Sequence, residues 1–186
     1  MRSAGATGID HRWNEDDSGI WSHRVQKTVL GASLAGLAGA AVWEGGESRL
    51  GKTLWRSIDS TLLAGAIANG AKPLFGRMRP GETDNPNQWF KGGHHSFPSG
   101  DVATLSGLVA PFVLEYRRDH PAVYALELLP AYDAIARIKV RAHWQTDVLA
   151  SFALGLATGN NAHQRDNPVV LGVLPHGFSV GVRRSW

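Results

Sequence analysis

The sequence predicts a mainly α-helical bundle that forms one domain over residues 1–186, and three observations support this fold class. The chain is long enough for a single sizeable core. Its tail alternates apolar and small residues about a turn, so a short β-hairpin is predicted over residues 166–186. Apolar residues recur at helical spacing in five segments, which cover residues 25–43, 50–71, 99–116, 123–136 and 147–162.

The first of these segments is the most apolar part of the chain. Residues 28–43 are rich in Ala and Gly but slightly shorter than the ~20 residues that a membrane span needs. Since the mean hydropathy of the chain is −0.17, a polytopic membrane protein is not indicated. We therefore expect residues 28–43 to form a buried helix, with a membrane-associated first helix as the alternative. The polar residues 1–20 before it are predicted to be an arm that lies over the domain, with Trp13 and Trp21 as anchors.

The boundaries of the later helices follow from capping and breaking residues. Ser48 is expected to start the second helix, which Gly70 and Pro73 should end. Ser99 is a predicted N-cap for the third helix. Pro130 should bend the fourth.

Composition excludes several functional classes. The chain has no Cys, which removes disulfides, thiolate metal ligands and cysteine nucleophiles. A net charge of +3 permits attraction to anionic substrates or membrane surfaces, but no basic run with interleaved aromatic residues indicates a nucleic-acid partner. Residues 1–19 carry no signal-peptide pattern.

The most informative stretch is residues 136–147. Interpreted as one helix, it places His143 and Asp147 four residues apart on one face, where a carboxylate can orient an imidazole. Arg137 lies six residues before His143, and a fixed His beside an Arg suits attack on a phosphoryl group. The simpler interpretation is a solvated His–Asp pair on an amphipathic helix.

Two further segments favour the phosphoryl interpretation. Residues 72–80 read K-x6-RP, and residues 98–101 read PSGD just before an apolar run. In this order, the three segments resemble the signature of the type-2 phosphatidic acid phosphatase (PAP2) superfamily, which also contains bacterial acid phosphatases and vanadium haloperoxidases. That signature is K-x6-RP, PSGH and SR-x5-H-x3-D. This chain departs from it at Asp101, which replaces a catalytic His, and at Ala136, which replaces Ser.

The resemblance implies the helical core of that superfamily and a role for each matched residue. His143 would be the nucleophile that forms a phosphohistidine, Asp147 would orient it, and Asp101 stands where the family has its general acid. Asp101 is equally compatible with a helix-start residue, in which case the loop residues His94 and His95 are substitute acids. The phosphate would be bound by Lys72, Arg79, Ser99, Gly100 and Arg137.

These residues predict a phosphatase that needs no metal or cofactor and acts on a phosphomonoester or a lipid or isoprenyl (di)phosphate. Phosphate or vanadate could occupy the same site. The alternatives are a phosphate-binding protein that has lost turnover and, ranked lower, a vanadate-dependent haloperoxidase. A metal hydrolase is the weakest alternative, with ligands drawn from His94, His95, Asp101, His143 and Asp147.

The expected partner is a phosphorylated small molecule or lipid, without nucleic acid, and the oligomeric state stays open. We expect a periplasmic or membrane-associated protein that can bind at a membrane surface, with a cytoplasmic location left open.

Overall fold

The structure, a computed structural model, describes residues 8–169. In this part of the chain it contains helices and no strands, which confirms the mainly α fold class. Two short 3₁₀ helices, Gly19–Trp21 and Pro121–Glu127, accompany the α-helices. The α-helices are α1 (His23–Glu44), α2 (Arg49–Phe75), α3 (Gly100–Tyr116), α4 (Leu128–Lys139) and α5 (Gln145–His163).

Helix α3 lies at the centre of the bundle. It packs mainly against α2 and α5, and most of its residues are buried. The helices can approach closely because α5 presents Gly155 and Gly159 to α3, where a Cβ atom would collide with Ser106 and Ala110. This central position matters for function, because the first residues of α3 belong to the second motif.

Helix α1 is exposed, so the prediction of a buried first helix was wrong. Its buried residues are Gln26, Leu37 and Ala41, which form one stripe against the neighbouring helices. Between positions 28 and 43, half of the other residues are Gly or Ala, whose small side chains allow close packing but do not create a second buried face. Among residues 8–169, α1 is the one helix that is long and apolar enough to cross a membrane, although core helices and signal sequences share these properties.

Helix α2 begins after its predicted cap but ends later than predicted. The Ser48 side chain accepts a hydrogen bond from the backbone N–H of Gly51, as an N-cap does. The helix continues through Gly70 and Pro73 and ends at Gly76, which adopts the left-handed conformation with φ 45°. Packing of α2 against α3 and α5 outweighs the unfavourable local effect of the proline.

The fourth helical segment is also divided differently. It begins as the 3₁₀ helix Pro121–Glu127 and continues as α4 from Leu128. The helix type therefore changes at Leu128 and not at Pro130. Pro130 lies in the first turn of α4, where its missing N–H removes no helical hydrogen bond.

Residues 136–147 are not one helix, which corrects a further expectation. Helix α4 ends at Lys139, a turn follows, and α5 starts at Gln145. Arg141 in this turn has a positive φ of 54°, which a continuous right-handed helix does not allow. The turn, rather than a shared helix face, brings His143 towards Asp147.

Residues 8–20, the described part of the N-terminal arm, lie over the domain as predicted. Trp13 packs against the core cluster that contains Val102 and Val148, and Trp21 stacks on Tyr132 with ring centroids 5.9 Å apart. The predicted C-terminal hairpin lies almost wholly outside the described residues, so it stays a prediction.

Candidate active site

His143 is buried in the turn between α4 and α5, with 1% of its surface exposed. Its Nδ1 atom lies 2.5 Å from the backbone carbonyl oxygen of Ser96. Because a carbonyl can only accept a hydrogen bond, Nδ1 carries the hydrogen and Nε2 retains its lone pair. Burial lowers the pKa of His143, so the neutral imidazole is favoured at neutral pH. The geometry therefore favours a neutral imidazole whose Nε2 carries the lone pair.

Asp147 lies in the first turn of α5 and is completely buried. Its Oδ2 is 3.7 Å from His143 Nδ1 and accepts hydrogen bonds from Ser96 Oγ at 2.5 Å and from the Trp144 backbone N–H at 2.8 Å. Burial raises the pKa of Asp147, but its contacts with His143, Arg77 and Ser96 outweigh burial and hold the pKa below its usual value. The predicted His–Asp proximity is present, while the hydrogen bond that fixes the imidazole goes to Ser96.

Lys72, Arg79 and Arg137 come together although they lie on different segments. Burial lowers the pKa of Lys72, the carboxylate of Asp101 opposes this change, and the charges of Arg79 and Arg137 add to it. The charges of the same two arginines also lower the pKa of His143. Because Arg79 and Arg137 act electrostatically on both Lys72 and His143, the three cations and the imidazole lie in one region, which we call the positive cluster.

The start of α3 completes this cluster. Gly100 leaves room for Lys72, because a Cβ at this position would lie 3.1 Å from Lys72 Nζ. Ser99 occupies the predicted N-cap position, but its side chain makes no capping hydrogen bond. Its hydroxyl is buried and has no hydrogen-bond partner among residues 8–169, and the same is true of Arg137 Nε. Buried donors of this kind, beside a helix N-terminus, suit the oxygens of a phosphate group.

Asp101 lies in the first turn of α3, and 38% of its side chain is exposed. Its Oδ2 is 3.3 Å from Arg137 Nη1. Asp101 is therefore beside the positive cluster and open to a ligand. The proposed substitute acids are placed differently: His94 pairs with Glu82 at 3.2 Å, and His95 is exposed on the loop.

Sequence reasoning missed two charged residues next to this site, Arg77 and Asp133. Arg77 is 1% exposed and its Nη1 donates to Asp147 Oδ1 at 2.5 Å. The position of Arg77 inside the K-x6-RP segment was the one feature of the sequence that could have pointed to it. Its partner Asp147 is 70 residues away in the sequence, so the contact could not be predicted. Asp133 is buried on α4 one helical turn before Arg137, and that spacing was the signal for it.

Asp133 carries an unusual carboxyl group. Its Oδ2 is buried and makes no hydrogen bond within the described part of the chain. Burial raises the pKa of Asp133 to about 7, the charge of Asp101 raises it too, and Arg137 opposes both effects. Near neutral pH the site thus contains a carboxyl group that is partly protonated.

The metal-hydrolase alternative requires a cluster of metal-ligating side chains. Between residues 8 and 169, no three His, Asp or Glu side chains form a group that could hold a metal ion. The five residues of the metal-hydrolase alternative are therefore not assembled into such a group.

Comparison with known proteins gives the class of this chain. Residues 53–167, which include all three motifs, match the family model of the PAP2 superfamily. The chain belongs to the PAP2 superfamily. No solved structure matches it significantly.

The similar characterised proteins are lipid A 1-phosphatases. The chain is 31% identical over 118 residues to that of Porphyromonas gingivalis, and 30% identical over 102 residues to those of Rhizobium etli and Rhizobium johnstonii. These segments cover 63%, 52% and 52% of this chain, and 24%, 43% and 41% of the relatives. The chain thus spans less than half the length of the curated relatives it matches.

The raised pKa of Asp133 predicts a specific dependence of stability on pH. The folded value of about 7 exceeds the ordinary value of 3.8, so the folded protein binds this proton more tightly. The stabilisation is fully present below pH 3.8 and is lost as pH rises through about 7. Between these limits the wild type should lose on the order of 4 kcal/mol relative to Asp133→Asn, measured by urea unfolding at several pH values.

Glu47→Gln is the control for this measurement. Glu47 is exposed, so its replacement should not change how stability varies with pH. Equal pH dependence in wild type and Asp133→Asn would contradict a protonated Asp133.

Proposed function

We propose that this protein is a phosphatase that hydrolyses a lipid phosphate through a phosphohistidine at His143, without a metal or cofactor. The observation that carries the proposal is the buried imidazole, whose Nδ1–H bonds to Ser96 and whose Nε2 is left with a lone pair, in a ring on which the charges of Arg79 and Arg137 act. Membership of the PAP2 superfamily and similarity to phosphatases support a phosphoric ester hydrolase.

Binding of the phosphate is assigned to the positive cluster. Lys72, Arg79 and Arg137 neutralise the non-bridging oxygens, and the unpartnered Ser99 hydroxyl donates a further hydrogen bond. Gly100 lets the anion approach the backbone at the start of α3. The mutual repulsion of the cations favours any ligand that brings negative charge between them.

The first chemical step is attack of His143 Nε2 on phosphorus. When the substrate phosphate binds beside it, Asp101 takes up a proton from solvent, because its carboxylate would repel the dianion. The new P–N bond then forms as the bond from phosphorus to the leaving oxygen breaks, and that oxygen takes the proton from Asp101. The positive charge that develops on the imidazole is stabilised by the Ser96 carbonyl and the Asp147 carboxylate.

The second step is hydrolysis of the phosphohistidine. A water molecule attacks phosphorus, Asp101, now a carboxylate, takes one proton from it, and the P–N bond breaks. Inorganic phosphate leaves, and both His143 and Asp101 return to their starting states. Asp101 is suited to this exchange because it is partly exposed and its contact with Arg137 can be replaced by a phosphate oxygen.

Apolar surface near the cluster supports a lipid substrate. Gln26, near the start of the exposed helix α1, accepts a hydrogen bond from Arg137 at 3.3 Å, so α1 reaches the phosphate site. At the end of α2, Leu74 and Phe75 follow Lys72 closely and are 74% and 36% exposed. Leu74 and Phe75 could therefore contact an acyl or isoprenyl chain attached to a phosphate in the cluster. The relatives' name, lipid A 1-phosphatase, supports the same substrate class, and we propose that the protein acts at a membrane surface.

His143→Asn tests the proposed function. Wild type should release phosphate from a lipid phosphomonoester in detergent micelles containing EDTA, and His143→Asn should lower kcat by a factor of about 10³ or more. The control is His120→Asn, which changes an exposed His near the opposite end of α3 and should keep wild-type activity.

Two outcomes would contradict the proposal. Full activity in His143→Asn would reject the nucleophile. Phosphate binding by the wild type without turnover of any ester would identify a phosphate-binding protein instead of an enzyme.

Asp101→Asn tests the assignment of the general acid. The substitution preserves shape but removes the transferable proton, so it should slow an alkyl phosphate far more than p-nitrophenyl phosphate, whose leaving group needs little protonation. The measurement is the ratio of kcat/KM for the two substrates. Asp119→Asn, which breaks a comparable 2.6 Å ion pair with Arg49 beyond the other end of α3, should leave the ratio unchanged. An unchanged ratio in Asp101→Asn would show that Asp101 is only a helix-start residue.

A further inference from the structure

The N-terminal arm reaches the catalytic region through a buried arginine. The Arg77 guanidinium donates hydrogen bonds to Asp147 Oδ1 at 2.5 Å, Asp10 Oδ2 at 2.6 Å and Thr146 Oγ1 at 2.8 Å. It also donates to the backbone oxygen of Pro86 from Nε and Nη2. One buried cation is thus shared by a carboxylate of the arm and the carboxylate proposed to act with His143.

Asp10 also holds the first turn of α5. Its Oδ1 accepts the backbone N–H of Thr146 at 2.8 Å, and its Oδ2 accepts the Thr146 hydroxyl at 2.6 Å. Next to it, His11 and Gln145 exchange two hydrogen bonds of 3.0 and 2.8 Å. A carboxylate on the N–H groups of a helix N-terminus is stabilising, and here the arm supplies it from outside the helix.

The same helical turn carries Asp147. Asp147 accepts a hydrogen bond from the Ser96 hydroxyl, and the Ser96 carbonyl fixes His143 Nδ1–H. Movement of this turn would therefore displace both the carboxylate and the carbonyl that orient the imidazole. Within residues 8–169, Asp10 bonds to Arg77 and Thr146 and not to Lys72, Arg79 or Arg137, so it acts on the nucleophile rather than on phosphate binding.

We propose that Asp10 is a positioning residue, and that the N-terminal arm, through Asp10 and Arg77, holds Asp147 and the Nδ1–H form of His143 in place for phosphoryl transfer. The inference rests on the proposed function. Because Arg77 is shared between Asp10 and Asp147, its positive charge is not neutralised by Asp147 alone. The negative charge of Asp147 can then stabilise the positive charge that develops on the His143 imidazole during attack.

The test compares Asp10→Ala and the isosteric Asp10→Asn with the wild type. Both variants should lower kcat for a lipid phosphomonoester, Asp10→Ala by about 10- to 100-fold and Asp10→Asn by less, while KM changes little. Glu15→Gln is the matched control, because Glu15 ties the arm to Arg141 at 3.2 Å without contacting α5, and it should keep wild-type kcat.

A second measurement separates positioning from loss of folding. The ¹⁵N spectrum of His143 should show Nδ1–H in the wild type and a mixed tautomer in Asp10→Ala, with circular dichroism confirming the folded fraction. Wild-type kcat in both Asp10 variants, or a loss of kcat no larger than the unfolded fraction, would overturn the inference. If the wild type hydrolyses no phosphate ester, the proposed function is wrong. If the wild type is active but Asp10→Ala keeps the Nδ1–H tautomer of His143, the proposed role of the N-terminal arm is wrong.

Discussion

The candidate site depends on the buried ion pair between Arg77 and Asp147. Both side chains are almost fully excluded from solvent, and removal of one partner from a buried pair costs about 3–5 kcal/mol because the other charge is left uncompensated. The hydrogen bonds of Asp147 join the loop around Ser96, the turn at Trp144 and the first turn of α5. One carboxylate therefore determines the relative position of three segments that meet at His143.

The positive cluster is the second constraint, and it explains why acidic residues accompany it. Three cations near one imidazole repel one another, and the charges of Arg79 and Arg137 add to the burial that lowers the pKa of Lys72. Asp101 offsets part of this charge by pairing with Arg137. Asp133 lies buried on α4, one helical turn before Arg137. A bound phosphate would supply the remaining negative charge, so a site that is electrostatically unfavourable alone becomes favourable with an anionic substrate.

The sequence identified the residues whose position is encoded locally. Lys72, Arg79, Ser99, Arg137 and His143 belong to short motifs, and the structure brings them together; their catalytic roles stay predictions. Contacts between distant segments could not be predicted, which is why the link from Asp10 to Arg77 was missed. The burial of α1 was predicted wrongly, because an apolar composition does not determine whether a helix packs against the rest of the protein or against other apolar material. Pro73 was expected to end α2, but tertiary packing outweighed local propensity.

The central claim is that His143 Nε2 receives the phosphoryl group, and isolation of the covalent intermediate tests it most directly. A lipid phosphomonoester labelled with ³²P would be mixed with excess enzyme, quenched in alkali within one turnover, and digested to peptides. We expect an alkali-stable, acid-labile label on the peptide that contains His143, with phosphorus on Nε2, and no label in His143→Asn. Turnover with no labelled protein at any quench time, or a label on another residue, would contradict the account.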